Sequence, residues 1–319
     1  MRSGKVLTML LCAWMGAGIW GCAQENKTQS EGDTTETEIS SQTQATDTKN
    51  ESEDEATKTT SENEIQDNKA FSANENISKG LLRKTVYALV SAAENSTLNY
   101  WSEYGYIQDI EDGRGYAAGI IGFTSGTGDL LEVIELYTKL SPGNALASYI
   151  PALKKVNGTE SHEGLGEPFC KAWKEAAQKP AMIQAQNDVI NEEYMDPAIQ
   201  AACEDGLSPL GQYIYYDALV VHGNGDDTLS FGAIRNAAKE KAKTPAEGGN
   251  EATYLNAFLD ARIPVMRAET AHADLSRIDA QRKFVKEKKF DLSLPLSFTM
   301  YGDPYDLTKE ILDKAPDNF

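Results

Sequence analysis

Residues 91–130 read SAAENSTLNYWSEYGYIQDIEDGRGYAAGIIGFTSGTGDL, and the order of the patterns within them decides the predicted fold. An apolar segment with helical spacing ends near Glu94, and a glycine-rich turn that contains Asp112 follows eighteen positions later. Residues 104–110 and 116–123, on either side of the turn, are rich in β-forming side chains. An Asp-Gly pair between two such segments is a strong hairpin signal. The stretch therefore predicts a helix followed by a β-hairpin with Asp112 in its turn.

Most of the remaining chain has the periodicity of α-helices. Upstream of Glu94, apolar residues recur every three or four positions and predict an amphipathic helix over residues 77–93. The run Pro209–Val221 is apolar almost all round, which is typical of a buried central helix. The other predicted helices cover residues 130–140, 145–155, 169–178, 181–194, 197–204, 231–243 and 252–271, the last with a kink near Pro264. Helices with one β-rich interruption predict a mostly helical, lysozyme-like α+β fold of two lobes, with a small β-hairpin or sheet lobe and a substrate cleft between the lobes.

The first 22 residues have the organisation of an export signal. Arg2 and Lys5 precede an apolar run, residues 6–20, which is too short for a stable membrane span. Cys22 stands where a bacterial lipobox places the cysteine that becomes the lipid-modified first residue. Trp20 is unusual at a position that normally holds a small residue, and ordinary cleavage that releases a soluble enzyme is the alternative. We therefore expect an extracellular protein, anchored by lipid to the outer face of a bacterial membrane or else secreted.

Residues 23–70 have the composition of a disordered segment. They contain thirteen acidic and four basic residues, a net charge of −9, and Ile39 and Ile65 are their two large aliphatic side chains. Such a segment buries too little apolar area to offset the loss of chain entropy on folding. We expect a tether that holds a catalytic domain clear of the surface, although a dispensable tail would have the same composition. Residues 71–319 are then long enough for that catalytic domain.

The charge of the predicted catalytic domain excludes some functions. When the signal (+2) and the tether (−9) are removed from the total of −19, the domain retains −12, which argues against nucleic acid and fits a cationic ligand. Residues 122–128 are glycine-rich but lack the lysine of a phosphate-binding loop, and no Gly-x-Ser-x-Gly motif is present. The histidines lack metal-ligand spacing, and the two cysteines after the signal fall on separate predicted helices, so neither a metal site nor a disulfide is expected. These residues are His162, His222, His272, Cys170 and Cys203.

Glu94 and Asp112 are candidates for the two carboxyl groups of a glycosidase, which needs one proton donor and one ionised carboxylate. Glu94 lies beside apolar residues at the C-terminal end of its helix, where desolvation and the helix dipole both disfavour the ionised form. Asp112 is followed closely by Arg114, whose positive charge would keep it ionised. A solvated helix-end glutamate and a structural Asp-Gly turn would explain the same two residues. Glu111 and Asp109 are rival candidates for the base.

Short motifs typical of one known family are spread over the region after residue 70. They include residues 93–96 (AENS), 112–116 (DGRGY), 119–123 (GIIGF), 125–129 (SGTGD), 151–158 (PALKKVNG), 184–188 (QAQND), 215–218 (YYDA), 254–262 (YLNAFLDAR) and 301–305 (YGDPY). In these motifs the chain resembles the glycoside hydrolase family 46 chitosanases, which cut chitosan, the cationic polymer of glucosamine. The resemblance implies that Glu94 is the general acid, that Asp112 is the general base and that Asp129 grips a glucosamine unit. Further candidates for substrate contacts are Arg114, Tyr106, Ser96 and Thr127.

The resemblance also implies a supporting charge network and reveals one departure. Asp217 lies within the apolar helix, where a charge is costly unless it is paired. The family has an Arg-Asp-Arg network leading to the general base, which points to Arg262 and Arg277 as its partners; a purely structural salt bridge is the alternative. Family members commonly have a threonine after the DGRGY motif, where its hydroxyl helps to orient the attacking water. This chain has Ala117 there.

Together these observations predict an endo-acting hydrolase of β-1,4 glucosamine linkages in chitosan that inverts the anomeric configuration. We expect no metal and no organic cofactor, no nucleic acid partner, membrane contact through a lipid at Cys22 alone, and a monomer. A chitinase or muramidase with related chemistry, or a cell-surface lipoprotein that binds chitosan without cutting it, are the alternatives. Comparing the hydrolysis of deacetylated and acetylated polymers distinguishes a chitosanase from a chitinase or muramidase. Measuring the release of reducing ends distinguishes an enzyme from a binding protein.

Overall fold

The computed structural model describes residues 76–225, 227–268 and 274–316, and most of these residues are helical. The α-helices are α1 (Gly80–Asn95), α2 (Asp129–Leu140), α3 (Ile150–Val156), α4 (Glu167–Ala176), α5 (Pro180–Ile190), α6 (Asp196–Asp205), α7 (Pro209–His222), α8 (Phe231–Lys239), α9 (Glu251–Ala268), α10 (Ser276–Lys286) and α11 (Lys309–Leu312). Short 3₁₀ helices cover Tyr100–Gly105, Ala145–Tyr149 and Pro245–Glu247, and a π-helical turn covers Asn191–Met195. The strands are β1 (Ile107–Asp109), β2 (Tyr116–Ala118), β3 (Phe123–Thr124), β4 (Leu296–Met300) and β5 (Asp303–Leu307).

Helix α7 is the centre of the hydrophobic core. All of its residues are buried, which agrees with the prediction of a buried central helix over residues 209–221. Its start is defined by the Ser208 side chain, which accepts a hydrogen bond from the Gly211 N–H. Pro209 follows in the first turn, where the N–H that proline lacks would have no acceptor within the helix. Helix α1 has its buried residues mainly in its second half, so its C-terminal end lies within the protein.

Strands β1, β2 and β3 form an antiparallel sheet in that order. Asp109 pairs with Tyr116, so residues 110–115 form the loop of the predicted hairpin, with Asp112 near its middle. The β-like sequence pattern extends beyond the observed strands on both sides of the loop. Tyr104 belongs to a 3₁₀ helix rather than a strand, and residues 116–123 contain a turn that leads into the short β3.

The sequence pattern did not predict the elements after α9. The last predicted helix covers residues 252–271 and one β-rich interruption was expected, but α10 follows α9, and β4 and β5 form a second antiparallel hairpin. Helix α10 was missed because its buried face includes Arg277 and Gln281, so the apolar spacing of an ordinary core helix is weak. The predicted helix over 252–271 corresponds to α9, which includes Pro264 and is described as far as Ala268.

The predicted export signal, the lipid-modified Cys22 and the predicted tether lie outside the described residues. Among the residues that are described, no helix combines the length and the apolar character needed to span a bilayer.

Candidate active site

Glu94 lies in the last turn of α1 and is 6% exposed. The helix ends directly after it, because Ser96 adopts the left-handed conformation (φ 52°) and its N–H bonds back to the Ser91 carbonyl. One carboxylate oxygen of Glu94 accepts a hydrogen bond from Arg277 Nη2 at 2.6 Å. Glu94 is therefore a buried carboxyl group paired with a buried guanidinium.

Asp217 links the same arginine to a second one. Its Oδ1 accepts from Arg277 Nε at 2.8 Å, and its Oδ2 accepts from Arg262 Nη1 and Gln281 Nε2, each at 2.7 Å. Burial alone would raise the pKa of Asp217, but the charges of Arg277 and Arg262 outweigh it and hold the pKa below its usual value. The three residues expected to form a charge network are therefore in contact. In the described contacts the network leads to Glu94, the candidate acid, which corrects the expectation that it would lead to the base.

Asp112 has a contrasting environment. It lies on the exposed loop between β1 and β2, and its side chain is 28% exposed. Arg114, two residues later, donates its backbone N–H to Oδ1 at 3.1 Å and its Nε–H to Oδ2 at 2.9 Å, and its Nη2 also bonds to Oδ2. A carboxylate that accepts three hydrogen bonds from one arginine is held in a fixed orientation.

Glycine allows this loop to pack closely. Gly115 has φ +73°, and a Cβ at this position would overlap the hydroxyl of Ser125. That hydroxyl accepts the N–H of Tyr116 at 3.0 Å, which fixes the loop at the start of β2. Contacts within the loop therefore explain the DGRGY motif. Gly115 permits the close approach to Ser125, and Arg114 holds Asp112.

A small set of amide side chains connects the end of α1 to the sheet. Asn95, adjacent to Glu94, donates its side-chain N–H to the Ile120 carbonyl at 3.1 Å, and Ile120 lies in the turn between β2 and β3. Gln186 on α5 accepts from the Ile120 N–H at 3.2 Å and donates to the Tyr104 carbonyl at 3.0 Å. Both amides are buried. The helix that ends at Glu94 and the sheet that presents Asp112 are thus joined by buried hydrogen bonds.

Asp129 lies at the N-terminus of α2, where its Oδ1 accepts three hydrogen bonds. The donors are the Thr124 N–H at 2.8 Å, the Thr127 hydroxyl at 2.7 Å and its neighbour Leu130 N–H at 2.9 Å. Burial raises the pKa of Asp129, and these hydrogen bonds oppose that shift. Thr127 is exposed, and its hydroxyl also contacts that of Thr124 at 2.6 Å. Asp129 and Thr127, two of the candidates for substrate contacts, are therefore direct neighbours.

The other two candidates lie near the same structural elements. Tyr106 ends the 3₁₀ helix before β1, and its hydroxyl contacts Gln108 Oε1 at 3.3 Å. Burial and the nearby Glu103 raise its pKa. Ser96 is exposed at the C-cap of α1 and hydrogen-bonds with Tyr305 on β5. The second hairpin, which the sequence analysis missed, therefore reaches the end of α1.

Tyr301 is a further residue at the candidate site that sequence reasoning did not select. It lies at the turn after β4, and its N–H donates to Ser276 Oγ at 2.9 Å. Burial raises the pKa of Tyr301 to about 12, with the nearby Arg277 opposing the shift and Glu94 adding to it. The phenol is therefore a neutral hydrogen-bonding group close to the candidate acid. The signal for it was the YGDPY motif, which resembled the family but implied no role.

Ala117 is fully buried and pairs across the sheet with Thr124. Side chains of directly paired residues lie on the same face of a sheet, so the hydroxyl of Thr124 lies beside the methyl group of Ala117. The departure from the family pattern therefore leaves a hydroxyl nearby, on the neighbouring strand.

The remaining expectations concern metals and thiols. Within residues 76–316, apart from the short undescribed gaps, no group of three or more His, Cys, Asp or Glu side chains could hold a metal ion. Cys170 is half-buried and Cys203 is exposed, and neither forms a disulfide. His222 accepts a hydrogen bond from Arg262 Nε at 3.1 Å, His162 packs on the sheet, and His272 lies outside the described residues.

The fold and the site define a class of protein. A buried carboxyl group at a helix end and an exposed carboxyl group paired with an arginine on a neighbouring hairpin are the arrangement of a glycoside hydrolase.

Comparison with known proteins gives the family. Residues 88–296 match Glycosyl hydrolase family 46. A chitosanase from a Streptomyces species is 59% identical over 218 residues, which cover 68% of this chain and 78% of the relative. The co-crystal structure of chitosanase OU01 with substrate has a TM-score of 0.71 and 50% identity, and covers 73% of this chain and 99% of that one. A Gynuella sunshinyii chitosanase in complex with chitotetraose has a TM-score of 0.65 and 34% identity, and covers 74% of this chain and 98% of that one.

The chain therefore belongs to glycosyl hydrolase family 46, and it is an enzyme. Its similarity to these structures confirms the predicted mostly helical, lysozyme-like α+β fold. The family resemblance drawn from the sequence motifs is confirmed as well.

Proposed function

We propose that the enzyme hydrolyses β-1,4 glucosamine linkages within chitosan chains and inverts the anomeric configuration. The observation that supports this most strongly is the contrast between its two carboxyl groups. Glu94 is buried against Arg277, whereas Asp112 is exposed and held by Arg114. The related proteins named above are chitosanases, and two of the solved structures contain substrate or chitotetraose.

Glu94 is the general acid in this proposal. Its Oε1 accepts from Arg277, which leaves Oε2 to hold the proton and donate it to the bridging glycosidic oxygen. When the proton leaves, the guanidinium stabilises the carboxylate that remains, and Asp217 keeps that guanidinium oriented.

Asp112 is the general base, and it takes a proton from a water on the opposite face of the sugar ring. Arg114 holds the carboxylate by three hydrogen bonds, so its direction is set before substrate binds. In an inverting enzyme the two carboxyl groups are separated by roughly 6.5–9.5 Å to leave room for the water.

The charge of the enzyme suits a cationic polymer. The domain after the predicted tether has a net charge of −12, and Asp129 is a carboxylate fixed beside Thr127. Attraction between these groups and protonated glucosamine should weaken as salt is added. Activity should be highest in mildly acidic solution, because substrate amines and Glu94 must be protonated while Asp112 must be ionised. No metal or organic cofactor takes part.

The decisive experiment is NMR of the first product formed from fully deacetylated chitosan. We expect the new reducing end to appear as the α-anomer and to equilibrate afterwards, with a rapid fall in viscosity because cleavage is internal. A first product in the β configuration would contradict inversion, and slow loss of viscosity with steady reducing-end release would contradict endo action.

Acetylated polymers test the substrate. Chitin and cell-wall glycan should be cut at least ten times more slowly than deacetylated chitosan, since their amides have no positive charge. A preference for either would favour a chitinase or muramidase. Equal, negligible reducing-end release by wild type and Glu94→Gln would favour a chitosan-binding lipoprotein instead.

The cell surface is the proposed place of action. The support is the sequence alone: a signal over residues 1–22, Cys22 for lipid attachment and an acidic tether over 23–70. We propose that the lipid-anchored enzyme acts as a monomer on the outer face of a bacterial membrane. Radiolabelled palmitate should be incorporated into wild type and not into Cys22→Ser, and light scattering of a chain that starts at residue 71 should give the monomer mass.

A further inference from the structure

A loop formed by residues 157–163 packs against the hairpin loop that contains Asp112. The Gly126 N–H donates to the Arg114 carbonyl at 2.9 Å, and the Gly158 N–H donates to the Gly126 carbonyl at 2.8 Å. A Cβ at Gly126 would lie 2.6 Å from the Thr159 carbonyl oxygen, so the segments are in close contact. Residues 157–163 therefore form one wall beside the candidate base.

His162, in this loop, touches both ends of the Asp112 hairpin loop. Its ring lies 4.2 Å from the ring of Tyr116, centroid to centroid. Its Nε2 lies 3.4 Å from Oδ2 of Asp109. Asp109 and Tyr116 are the pair that closes the hairpin, one before and one after the loop. A single side chain from outside the sheet thus holds the two residues that bracket Asp112.

Asp109 in turn shapes the loop. Its Oδ1 accepts the N–H of Glu111 at 2.8 Å, and Glu111 adopts the left-handed conformation with φ 58°. This conformation is uncommon for residues other than glycine and needs local support. Because Glu111 immediately precedes Asp112, a change in the direction of the Asp109 carboxylate changes the path of the chain into Asp112.

The contact between His162 and Asp109 depends on protonation. Nε2 is shielded from solvent and makes no hydrogen bond within the described residues. A lone pair on Nε2 would face a carboxylate oxygen, whereas a protonated, cationic ring would be attracted to it. The contact therefore holds Asp109 most strongly when His162 is charged.

We propose that His162 is a positioning residue for Asp112, which it orients through Asp109 and Tyr116 most effectively when its imidazole is protonated. This inference rests on the proposed role of Asp112 as the base.

The other ionisable groups around His162 are few. Tyr116 lies under the ring and hydrogen-bonds with Cys170 on α4. In the same loop, Glu163 pairs with Lys155 at 2.5 Å, and Glu160 reaches towards Gly113. Asp109 is therefore the carboxylate paired with His162, and the pH test is a test of that pair.

The test compares kcat and KM of wild type with those of His162→Phe between pH 5 and pH 8. Phenylalanine keeps a ring on Tyr116 but has no charge for Asp109. We expect kcat of the variant to be about tenfold lower at pH 5 and within twofold of wild type at pH 8, with KM within twofold throughout. The wild-type advantage in kcat should therefore be smaller at pH 8 than at pH 5.

Two further variants separate this role from ordinary packing. Phe169→Leu replaces another ring beside Tyr116 by a smaller aliphatic side chain and removes no charge, so its kcat ratio to wild type should not change with pH. Asp109→Asn keeps an acceptor for Glu111 but loses its charge. The double variant with His162→Phe should lose no more kcat than Asp109→Asn alone, because both changes remove one interaction.

The loop itself supplies a measurement that needs no activity. Amide hydrogen exchange over residues 110–115 should be several-fold faster in His162→Ala than in wild type at pH 5, and the difference should shrink at pH 8. A kcat ratio that is constant with pH, together with unchanged exchange, would overturn the inference.

If Asp112 is not the base, the same experiments give a different result. If Asp112→Asn retained activity while Asp109→Asn abolished it, Asp109 would be the base and His162 its direct partner. In that case the exchange difference would still be seen, but the role of His162 in orienting Asp112 would be rejected.

Discussion

The end of α1 and the loop between β1 and β2 each present one carboxyl group, but they are built in opposite ways. Glu94 is fixed by contacts with residues that are distant in sequence. Arg277, which bonds to Glu94, is 183 positions away from it, and Asp217, which bonds to Arg277, is 60 positions away from Arg277. Asp112 is fixed by Arg114, two positions away. The environment of Glu94, the proposed acid, therefore depends on the tertiary fold, whereas that of Asp112, the proposed base, depends largely on local sequence.

This difference determines how substitutions around each carboxyl group should affect stability and catalysis. Charges in the Glu94 network are shielded from water, so losing one leaves others buried and unpaired. The Asp112 pair is open to solvent, where an ion pair contributes little to stability. Substitutions near the acid should affect folding and catalysis together, and substitutions near the base should affect catalysis alone.

The largest expected effect is the loss of either carboxyl group. Glu94→Gln and Asp112→Asn should each lower kcat on deacetylated chitosan by about 10²–10⁴-fold, because each removes a proton-transfer group. Reducing-end assays at a fixed pH measure this. The melting temperature should change little in Asp112→Asn. If Asp112→Asn kept more than a tenth of the activity, Asp109 or Glu111 would become the candidate base.

The next effect tests the long-range network. Asp217→Asn should destabilise the protein by about 3–5 kcal/mol in urea unfolding, since Arg262 and Arg277 then lose their buried counter-charge. It should also lower kcat in the protein that remains folded, because Arg277 is no longer held against Glu94. Wild-type activity per folded molecule would show that Asp217 is structural alone.

Asp205 provides a matched control on the opposite side of α7. It is a buried carboxylate paired with Arg235 and Lys239, and its described contacts do not include the candidate site. Its partners are more exposed than those of Asp217, with side chains 18% and 34% accessible. Asp205→Asn should therefore cost less stability and leave kcat unchanged.

Acid unfolding tests the same network by pH. The pKa of Asp217 is lowered in the folded protein, because Arg277 and Arg262 outweigh the effect of burial. Its stabilisation is therefore present above its ordinary unfolded pKa, about 3.9, and is lost as pH falls through the folded value. Wild type should lose stability steeply below about pH 4, and Asp217→Asn should show a shallower loss over that range. Parallel curves for the two proteins would contradict the lowered pKa.

The contrast between the two regions also explains what could be predicted from the sequence. The hairpin, Asp112 and Arg114 lie within a few residues of each other, so spacing and turn chemistry located the loop, and the family resemblance then selected Asp112 over Glu111 and Asp109. The buried helix α7 was found because apolar residues dominate all its faces. Local patterns of this kind are preserved in the fold.

The remaining features depend on distant contacts. Helix α10 buries Arg277 and Gln281, so its buried face does not show the apolar spacing by which core helices are predicted. The family resemblance supplied Arg277 as a partner of Asp217, but its hydrogen bond to Glu94 required the structure. Tyr301 lies near Glu94, and His162 contacts Asp109 in the hairpin of Asp112, but no sequence periodicity connects these loop residues to their partners. Sequence therefore locates the proposed base Asp112 together with Arg114, and for the proposed acid it locates Glu94 but not the residues that surround it.

A moderate effect is expected at the arginine beside the base. Arg114→Gln should lower kcat by about tenfold, because the Asp112 carboxylate loses its charged partner and its fixed direction. Stability should change by no more than about 1 kcal/mol, as for other exposed pairs. Thermal unfolding and kinetics at the same pH measure both quantities. A loss of stability equal to that of Asp217→Asn would remove the distinction between the two regions.

The smallest effect concerns Ala117, which leaves the water near Asp112 without the threonine hydroxyl common in the family. Ala117 is fully buried beside Thr124 on the paired strand. Ala117→Thr should raise kcat up to a few-fold or leave it unchanged, since the second hydroxyl joins a face that already has one. Thr124→Val, of nearly the same shape, is the matched test of that existing hydroxyl and should lower kcat if it has taken over the role. A large loss of activity in folded Ala117→Thr would mean that the attacking water lies elsewhere.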